Sequence, residues 1–333
     1  MDPQRIILFL SPLRNGWKEP IESLRNEFPE VQFITTEKTE NTASYLPKAE
    51  GIIPYRITAD QIRLAQRLKI IFIPWSGTDS LPLDAIMESG CMVANTHGNA
   101  SSVAEHAITL ALSAMHRLIP YHLDLQNGYW HGFIKGFSEA DQWNRLTGKR
   151  CAVLGVVEIG ALVARILQSG FHCQVKGWKK NPIKETLPFF DVVSTSLEEV
   201  LQDSEVVFIT LPLTSSTKHL FHQGNMHLLS GKVVVNVGRG GIFEEKALYD
   251  SLKNSQILCA GIDVWYNYPF DKIEPKFPGH YPFHTLPNLV MSPHIGGYSK
   301  EGQTQMMIDT MTNIRSYLKT GQPVWKIQLE KGY

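Results

Sequence analysis

Residues 149–180 read KRCAVLGVVEIGALVARILQSGFHCQVKGWKK, in which two apolar runs flank a glycine-containing turn and a helical pattern. The run 151–154 predicts a buried strand, and the run 171–178 predicts a second strand after the helix. Gly170 is expected to end the helix between them. Strand, tight turn, helix and strand within about thirty residues form the βαβ unit that dinucleotide-binding folds require. The sequence therefore predicts a nucleotide site at the turn between strand and helix.

The turn GVVEIG at 155–160 departs from the complete dinucleotide-binding fingerprint at its centre. Gly155 is expected to allow the tight turn, and Gly160 to let the helix lie close against the sheet. Amides at the helix start would face a pyrophosphate, because the helix dipole favours negative charge there. Val157 replaces the middle glycine and Glu158 would mildly repel the pyrophosphate, so weaker binding or an ordinary strand-to-helix turn stays open. The cofactor contacts predicted here are Gly155, Val157, Glu158, Ile159 and Gly160.

A chain of 333 residues is long enough for two domains. Its composition, 43% hydrophobic and 19% charged, is that of an ordinary soluble globular protein. Lys plus Arg number 32 and equal Asp plus Glu, which argues against a nucleic-acid-binding surface. The N-terminal apolar run is too short for a signal peptide, and no run approaches the roughly 18 residues of a membrane span. The 4 cysteines are scattered, which indicates buried thiols in a reducing compartment. We therefore expect a cytoplasmic protein without a metal site that binds neither nucleic acid nor membrane.

Strand and helix patterns alternate along both halves of the chain, which indicates an α/β fold with mostly parallel sheets. One series runs through residues 5–95, and the second starts at Cys151. Between them, the capping box Ser102-Val103-Ala104-Glu105 predicts the start of a long helix that reaches Ile119. The segment 126–146 shows no clear period and is expected to be a connection.

Five stretches together resemble the D-isomer-specific 2-hydroxyacid dehydrogenase family. They are WSGTDSLPLDA at 75–85, NTHGNASSVAEHAI at 95–108, VNVGRGGIFEEKAL at 235–248, GIDVWYNYP at 261–269 and LPNLVMSPHIGG at 286–297. The last three are similar to the active-site segments of the family, in the same order and with nearly the same spacing. The resemblance covers nearly the whole chain.

The resemblance implies two Rossmann-like domains, each a doubly wound parallel sheet, with ligands bound in the cleft between them. The substrate domain would be discontinuous and comprise residues 1–98 plus 296–333. The NAD(P)-binding domain, residues 99–295, would be inserted into it. The resemblance further implies that the long helix after Ser102 joins a second copy of the chain in a homodimer.

The resemblance also implies hydride transfer between NAD(P) and a 2-hydroxy acid, which needs a cation for the carboxylate and a group that exchanges the hydroxyl proton. Arg239 would bind the substrate carboxylate through two parallel hydrogen bonds, with a surface turn arginine as the alternative. His294 would be the general acid/base, because imidazole titrates near neutral pH. Backbone amides of Ser76 and Gly77 would hold the other carboxylate oxygen, unless they form a simple turn.

The chain departs from the family at Tyr268. The family commonly has a glutamate there, which orients the histidine and raises its pKa. A phenol is neutral near pH 7, since its reference pKa is about 10, so the pKa of His294 is expected to be less elevated. Tyr268 contacting substrate and a loss of catalysis stay open as alternatives.

The strand end Trp178-Lys179-Lys180 bears on the choice of cofactor. NAD-specific sites carry an acidic residue about twenty residues beyond the glycines, which binds the ribose 2′-hydroxyl. Lys179 takes that position, and a cation there suits the 2′-phosphate of NADP. NADP(H) is therefore favoured over NAD(H), with two solvated lysines as the alternative.

Further cofactor contacts follow from the resemblance. Asp263 would receive the nicotinamide carboxamide, unless it is a strand-end aspartate whose carboxylate is satisfied by backbone amides. The remaining predicted contacts are Trp178, Leu211, Pro212, Val237 and Gly238.

Two classes of function compete. The first is an NAD(P)-dependent oxidoreductase that acts on a small 2-hydroxy or 2-keto acid such as glyoxylate, hydroxypyruvate or phosphoglycerate. The alternative is a dinucleotide-binding sensor or scaffold with little turnover, like the transcriptional corepressors of the same family. Val157, Lys179 and Tyr268 favour the scaffold, whereas Arg239 and His294 favour the enzyme, since a scaffold needs neither.

Overall fold

A computed structural model describes residues 5–10, 13, 16–35, 43–132, 139–182, 185–269 and 276–329. Its contacts divide the chain into two compact units. Unit 1 comprises Met1–Asn99 with Lys300–Tyr333, and unit 2 comprises Ala100–Ser299. The substrate and cofactor roles of the two units stay predictions. No helix of the described residues is long and apolar enough to cross a membrane.

Unit 1 is a parallel sheet with helices on its faces. Its described strands, in the spatial order β2-β1-β3-β4-β5, are β1 Arg5–Phe9, β2 Val31–Ile34, β3 Gly51–Ile53, β4 Ile70–Phe72 and β5 Met92–Ala94. The helices are α1 Lys18–Glu27, α2 Ala59–Leu64, α3 Leu83–Ser89 and α9 Lys300–Thr320. The three central strands β1, β3 and β4 are almost entirely buried, as parallel strands covered on both faces must be. The α9 helix returns from the end of the chain and packs its Ile314 and Tyr317 into this core.

Unit 2 contains a larger parallel sheet. Its described strands are β6 Arg150–Leu154, β7 Gln174–Trp178, β8 Val192–Ser194, β9 Val206–Ile209, β10 Val233–Asn236, β11 Cys259–Ile262 and β12 Leu289–Met291. Their spatial order is β12-β11-β10-β9-β6-β7-β8, so the order reverses between β6 and β9. Parallel sheets bind ligands outside the carboxyl ends of the strands at such a reversal. The predicted pair of doubly wound parallel sheets is therefore confirmed.

The helices of unit 2 are α4 Ala100–Met115, α5 Leu118–Gln126, α6 Glu158–Phe171, α7 Leu197–Leu201 and α8 Glu245–Lys253. One face of the sheet packs on α4 and α6, and the other packs on α7 and α8. The α4 helix lies directly on β11, where a Cβ added to Gly261 would come within 2.7 Å of Leu110 Cβ. Gly261 therefore lets the helix approach the sheet closely.

The predicted capping box and the predicted single long helix are wrong. The α4 helix begins at Ala100, so Ser102 lies inside it, where its hydroxyl is 2.6 Å from that of Ser299. The helix ends at Met115 and not at Ile119, because Arg117 has a left-handed backbone with φ of 53°. A new helix, α5, then starts inside what the pattern presented as one element.

Two other expectations from the helix patterns need correction. Gly170 does not end its helix, since α6 continues to Phe171 and ends where His172 takes a left-handed conformation with φ of 52°. The segment 126–146 was expected to be a plain connection, but α5 reaches Gln126 and a 3₁₀ turn covers Glu139–Asp141. Residues 133–138 of that segment lie outside the described residues.

Candidate active site

The turn between β6 and α6 has the geometry that its glycines predict. Gly155 has a φ of 98°, and its amide donates to the Trp178 carbonyl at 3.0 Å. A Cβ added to Gly160 would lie 1.7 Å from the Gly155 carbonyl oxygen, so only glycine lets α6 start this close to the strand. Val157 and Glu158 are exposed at the helix start, and Ile159 is half-buried. The first amides of a helix have no intrahelical partner, so this turn has the elements of an anion site.

The loop after β9 is bound to the glycine turn across the reversal of strand order. The Thr210 hydroxyl lies 3.1 Å from the Leu154 carbonyl oxygen and 2.9 Å from that of Gly155. The next residue, Leu211, is buried, and a Cβ on Gly238 would come within 2.5 Å of its carbonyl oxygen. Thr210 was not identified from the sequence, because a threonine after a strand is too common to be a signal.

The lysine pair follows β7 as predicted. The Trp178 indole N–H donates to the Thr195 carbonyl at 3.1 Å, and the Lys179 amide donates to the Ser194 carbonyl at 3.1 Å. These bonds fix the backbone of the strand end. Lys179 is half-buried and Lys180 is exposed, and their contact with a nucleotide stays a prediction.

Asn236 shapes the loop that carries Arg239. This residue is 1% exposed; its Oδ1 accepts the Gly238 amide at 3.0 Å, and its Nδ2 donates to the Arg239 carbonyl at 3.0 Å. Arg239 is half-buried, and its Nη1 donates to the Gly238 carbonyl at 2.8 Å. The preceding Val237 is buried, so the residue from which the loop starts is packed in the core. Sequence reasoning missed Asn236, although a polar residue inside an apolar strand was the available signal.

Trp265 connects the three loops after β10, β11 and β12. A Cβ on Gly240 would lie 2.4 Å from the Trp265 carbonyl oxygen, so the Arg239 loop rests on this backbone. The Trp265 amide donates to the Tyr268 phenol oxygen at 3.1 Å, and its indole N–H donates to the Ser292 carbonyl at 2.8 Å. One buried residue thus ties together the segments that carry the predicted catalytic groups.

Tyr268 and His294 are brought side by side. Their ring centroids are 5.4 Å apart, with an angle of 53° between the planes. The phenol oxygen accepts the Trp265 amide, so the tyrosine is held by the main chain while its ring packs beside the imidazole. His294 is exposed and has a φ of 60°, a region that residues other than glycine rarely adopt.

Asp263 holds the loop in which His294 lies. Its side chain is almost fully buried and accepts the amides of Ile295 and Gly296, each at 3.0 Å, and the Ser292 hydroxyl at 2.6 Å. Burial by itself raises the pKa of Asp263, but the nearby His106 ring and hydrogen bonds from the Ser292 hydroxyl and the Gly296 amide outweigh it and lower the pKa. These bonds match the alternative in which backbone amides satisfy the carboxylate. The nicotinamide contact of Asp263 stays a prediction.

The turn at Ser76 and Gly77 belongs to unit 1. The Ser76 carbonyl accepts the Asn95 side-chain amide at 2.9 Å, and the Trp75 carbonyl accepts the Thr96 amide at 3.3 Å. The turn is therefore fastened to the segment after β5, and its substrate contact stays a prediction. Within the described residues no group of three or more His, Cys, Asp or Glu side chains could hold a metal ion.

The sequence was compared with protein families and known proteins. The family described as "D-isomer specific 2-hydroxyacid dehydrogenase, NAD binding domain" matches residues 108–296. The D-3-phosphoglycerate dehydrogenase of Archaeoglobus fulgidus is 30% identical over 312 residues, which are 92% of this chain and 56% of that protein. The chain thus spans little more than half the length of that relative. The hydroxypyruvate reductase of Thermotoga maritima is 29% identical over 84% of this chain and 92% of that protein.

Solved structures share the fold. The NADPH-dependent glyoxylate/hydroxypyruvate reductase of Sinorhizobium meliloti, in complex with NADP and malonate, superposes with a TM-score of 0.78 and 22% sequence identity. The match covers 98% of this chain and 97% of that one. At this identity the likeness shows the common fold.

Alanine substitution of two glycines in α6 is expected to have opposite effects. Gly160→Ala places a methyl group on the Gly155 carbonyl and should destabilise the protein by at least about 2 kcal/mol, because the backbone must shift. Gly170→Ala meets nothing within 4 Å and should stabilise the helix by about 0.5–1 kcal/mol. Denaturant unfolding of both variants measures the difference. Equal stability of the two variants would contradict the close helix–strand contact.

Proposed function

The chain belongs to the D-isomer specific 2-hydroxyacid dehydrogenase family, and on that premise we propose that it is an NAD(P)-dependent oxidoreductase of a small 2-hydroxy or 2-keto acid. The observation that carries the proposal is the set of contacts made by Trp265, which joins the loops of Arg239, Tyr268 and His294 at one edge of a parallel sheet. The names of the relatives, a phosphoglycerate dehydrogenase and a hydroxypyruvate reductase, support the same substrate class.

In this proposal the cofactor binds at the turn from β6 to α6, with its pyrophosphate against the first amides of α6. The Gly155–Gly160 contact supports this position, because it brings the helix start next to the strand end. Bound there, the nicotinamide cofactor supplies or accepts the hydride. The exposed Val157 side chain stands where close backbone approach is usual, so we expect modest affinity.

Arg239 binds the substrate carboxylate and polarises the carbonyl that is reduced. A guanidinium presents planar pairs of donors that match a carboxylate, which an ammonium group cannot do. The loop supports this role, because Asn236 bonds the Arg239 carbonyl and the Gly238 carbonyl accepts a hydrogen bond from the Arg239 side chain. A preorganised cation costs less ordering entropy when substrate binds.

His294 gives a proton to the substrate oxygen during reduction and takes it back during oxidation. Its imidazole is exposed, so it is accessible to substrate. Tyr268 beside it is uncharged near neutral pH and contributes packing where the family commonly has a carboxylate. Tyr268 itself therefore gives the imidazolium no negative charge, which a glutamate at this position would supply.

The second part of the proposal is a homodimer formed through α5. Within the described part of the chain, α5 contains no buried residue. Its exposed apolar side chains are Leu118, Ile119, Leu123 and Leu125, and Tyr129, Trp130 and Trp143 after the helix are exposed as well. His131 bonds Asp124 at 2.8 Å and Asp141 at 3.0 Å, which fixes the segment after the helix against it. Exposed apolar surfaces of this kind mark interfaces. In a symmetric homodimer the α5 surface of each copy would cover the α5 surface of the other.

Cofactor binding is the first test of the proposal. NADPH should bind more tightly than NADH, and Lys179→Gln should weaken NADPH binding about tenfold through loss of one charge-assisted contact to the 2′-phosphate. NADH binding should change little. Nicotinamide fluorescence during titration measures both affinities.

Lys253→Gln removes one charge from α8, away from β7, and should leave both affinities unchanged. Tighter binding of NADH to the natural sequence would mean that the two lysines are merely solvated. If neither nucleotide bound below about a millimolar, the enzyme proposal would fail.

Reduction of a panel of 2-keto acids tests the catalytic roles. His294→Gln should lower kcat by about 10²–10⁴-fold, the range for general acid catalysis. Because reduction requires the protonated imidazole, the rate should decline as the pH rises through the pKa of His294. A rate that holds flat past about pH 8 would contradict the expectation that Tyr268 leaves the pKa of His294 less elevated than a glutamate at that position would.

Two variants at position 268 separate charge from packing. Tyr268→Glu places an anion beside the imidazole, which favours its protonated form, so reduction should persist to a higher pH than in the natural sequence. Tyr268→Phe keeps the ring and should leave the position of the pH profile unchanged. Equal profiles for all three proteins would show that position 268 does not influence the proton donor.

The dimer is tested by charge at the centre of the α5 surface. Leu123→Asp should convert a dimer to a monomer in size-exclusion chromatography with light scattering, because an unpaired charge would be buried at the interface. Leu258→Asp changes another exposed leucine, outside α5, and should leave the dimer intact. A natural sequence that is monomeric at micromolar concentration would rule out this part of the proposal.

A further inference from the structure

A chain of side-chain hydrogen bonds runs from helix α4 to the loop that carries His294. His106 Nε2 lies 2.8 Å from Ser292 Oγ and 3.4 Å from Asp263 Oδ1. The Ser292 hydroxyl donates to Asp263 Oδ1 at 2.6 Å. Asp263 accepts in turn the two backbone amides that directly follow His294, each at 3.0 Å. The side chains of His106, Ser292 and Asp263 thus connect helix α4 to the backbone next to the catalytic candidate in the loop after β12.

The direction of each hydrogen bond follows from the ionisation of Asp263. Burial raises and hydrogen bonds lower the pKa of Asp263, and the net shift is downward, so near neutral pH its carboxylate can only accept. The single hydroxyl proton of Ser292 is committed to this carboxylate. The Ser292 oxygen must then accept from His106, so Nε2 of His106 carries the hydrogen. Every donor in the chain therefore points towards Asp263.

The loop depends on these bonds because its conformation is unfavourable by itself. His294 has a φ of 60°, and such a backbone persists only where the surroundings impose it. The ring of His106 also packs on the loop, since a Cβ added to Gly296 would come within 3.1 Å of His106 Cδ2. His106 therefore contacts the loop both through the hydrogen-bond chain and directly.

We propose that His106 is a positioning residue for His294: its Nε2–H orients the Ser292 hydroxyl onto Asp263, which holds the left-handed turn that directs the His294 imidazole. This inference rests on the proposed acid/base function of His294. Without the His106 donor, the Ser292 oxygen accepts no hydrogen bond and its hydroxyl is less well oriented towards Asp263. The hydrogen bonds from the Ile295 and Gly296 amides to Asp263 then weaken. Proton transfer then slows, whereas the Arg239 loop, which has its own ties, keeps its substrate contact.

Two substitutions at position 106 isolate the donor. His106→Gln places a side-chain amide N–H at nearly the reach of Nε2, whereas His106→Leu removes every donor. Thr109→Val is the matched control on the same helix, because the Thr109 hydroxyl is bonded only locally, to the Glu105 carbonyl at 2.9 Å, in an exposed position. Ser292→Ala interrupts the chain one bond further along with a smaller side chain, and serves if His106→Leu does not fold.

The experiment measures the loop and the reaction separately. Hydrogen–deuterium exchange of the peptide 290–298 reports the two amides on Asp263 without any need for activity. His106→Leu and Ser292→Ala should accelerate this exchange at least about tenfold, since a broken tie opens the turn locally. In reduction of a keto acid, kcat should fall about ten- to a hundredfold with KM within about twofold, as for a misplaced catalytic group. His106→Gln should restore both quantities to within about threefold of the natural sequence.

The outcomes distinguish this inference from the proposed function. Unchanged exchange in His106→Leu would overturn the inference, and so would equal losses in His106→Leu and His106→Gln, which would indicate packing alone. The same acceleration in Thr109→Val would also overturn it, because the effect would then be general destabilisation of α4. If exchange follows the expected pattern but the natural sequence reduces no acid, the tie on the loop stands and the enzyme proposal fails.

Discussion

Backbone lies directly against backbone at the carboxyl edge of the seven-stranded sheet, and the candidate site depends on this contact. A Cβ would come within 1.7 Å of a carbonyl oxygen at Gly160, 2.5 Å at Gly238 and 2.4 Å at Gly240. Parallel strands end at the same edge, so their loops must share a small area above the sheet. Glycine lets the loops approach until they support one another, and side chains that leave such loops have little freedom to move.

Two buried residues convert this close packing into a defined arrangement of functional groups. Trp265 joins the loops of Arg239, Tyr268 and His294 through its carbonyl, its amide and its indole N–H. Asp263 accepts hydrogen bonds from the polar groups of the loop after β12. Without it these donors would be buried without hydrogen-bond partners. An ionised carboxylate in this place is stable only because several donors surround it. The same donors therefore hold the conformation of His294.

Periodicity and strand composition predicted most of the secondary structure, since buried parallel strands are continuous apolar runs between turn residues. The predicted strand 151–154 is β6, which begins one residue earlier, at Arg150. The ends of the helices were harder to predict. Gly170 lies inside α6 because nothing near it requires the helix to stop, and α4 stops at Met115 although its apolar pattern continues. The exposed apolar residues of α5 look the same in the sequence as the buried apolar residues of α4. Only the structure shows that the first set is exposed and the second is buried.

The sequence by itself determined the α/β class and the dinucleotide-type turn, because each has a local pattern that physical chemistry requires at short range. The roles of Arg239 and His294 come from the resemblance to the family and stay predictions. Only the tertiary structure decided which distant groups support them. Asn236, Thr210, Ser292 and His106 are ordinary polar residues in the sequence, and their partners lie up to 186 positions away. A hydrogen bond between remote segments leaves no periodic signal, since it depends on the sheet order and on how closely the loops approach. The candidate nucleotide turn could therefore be predicted from the sequence, whereas the network that holds His294 required the fold.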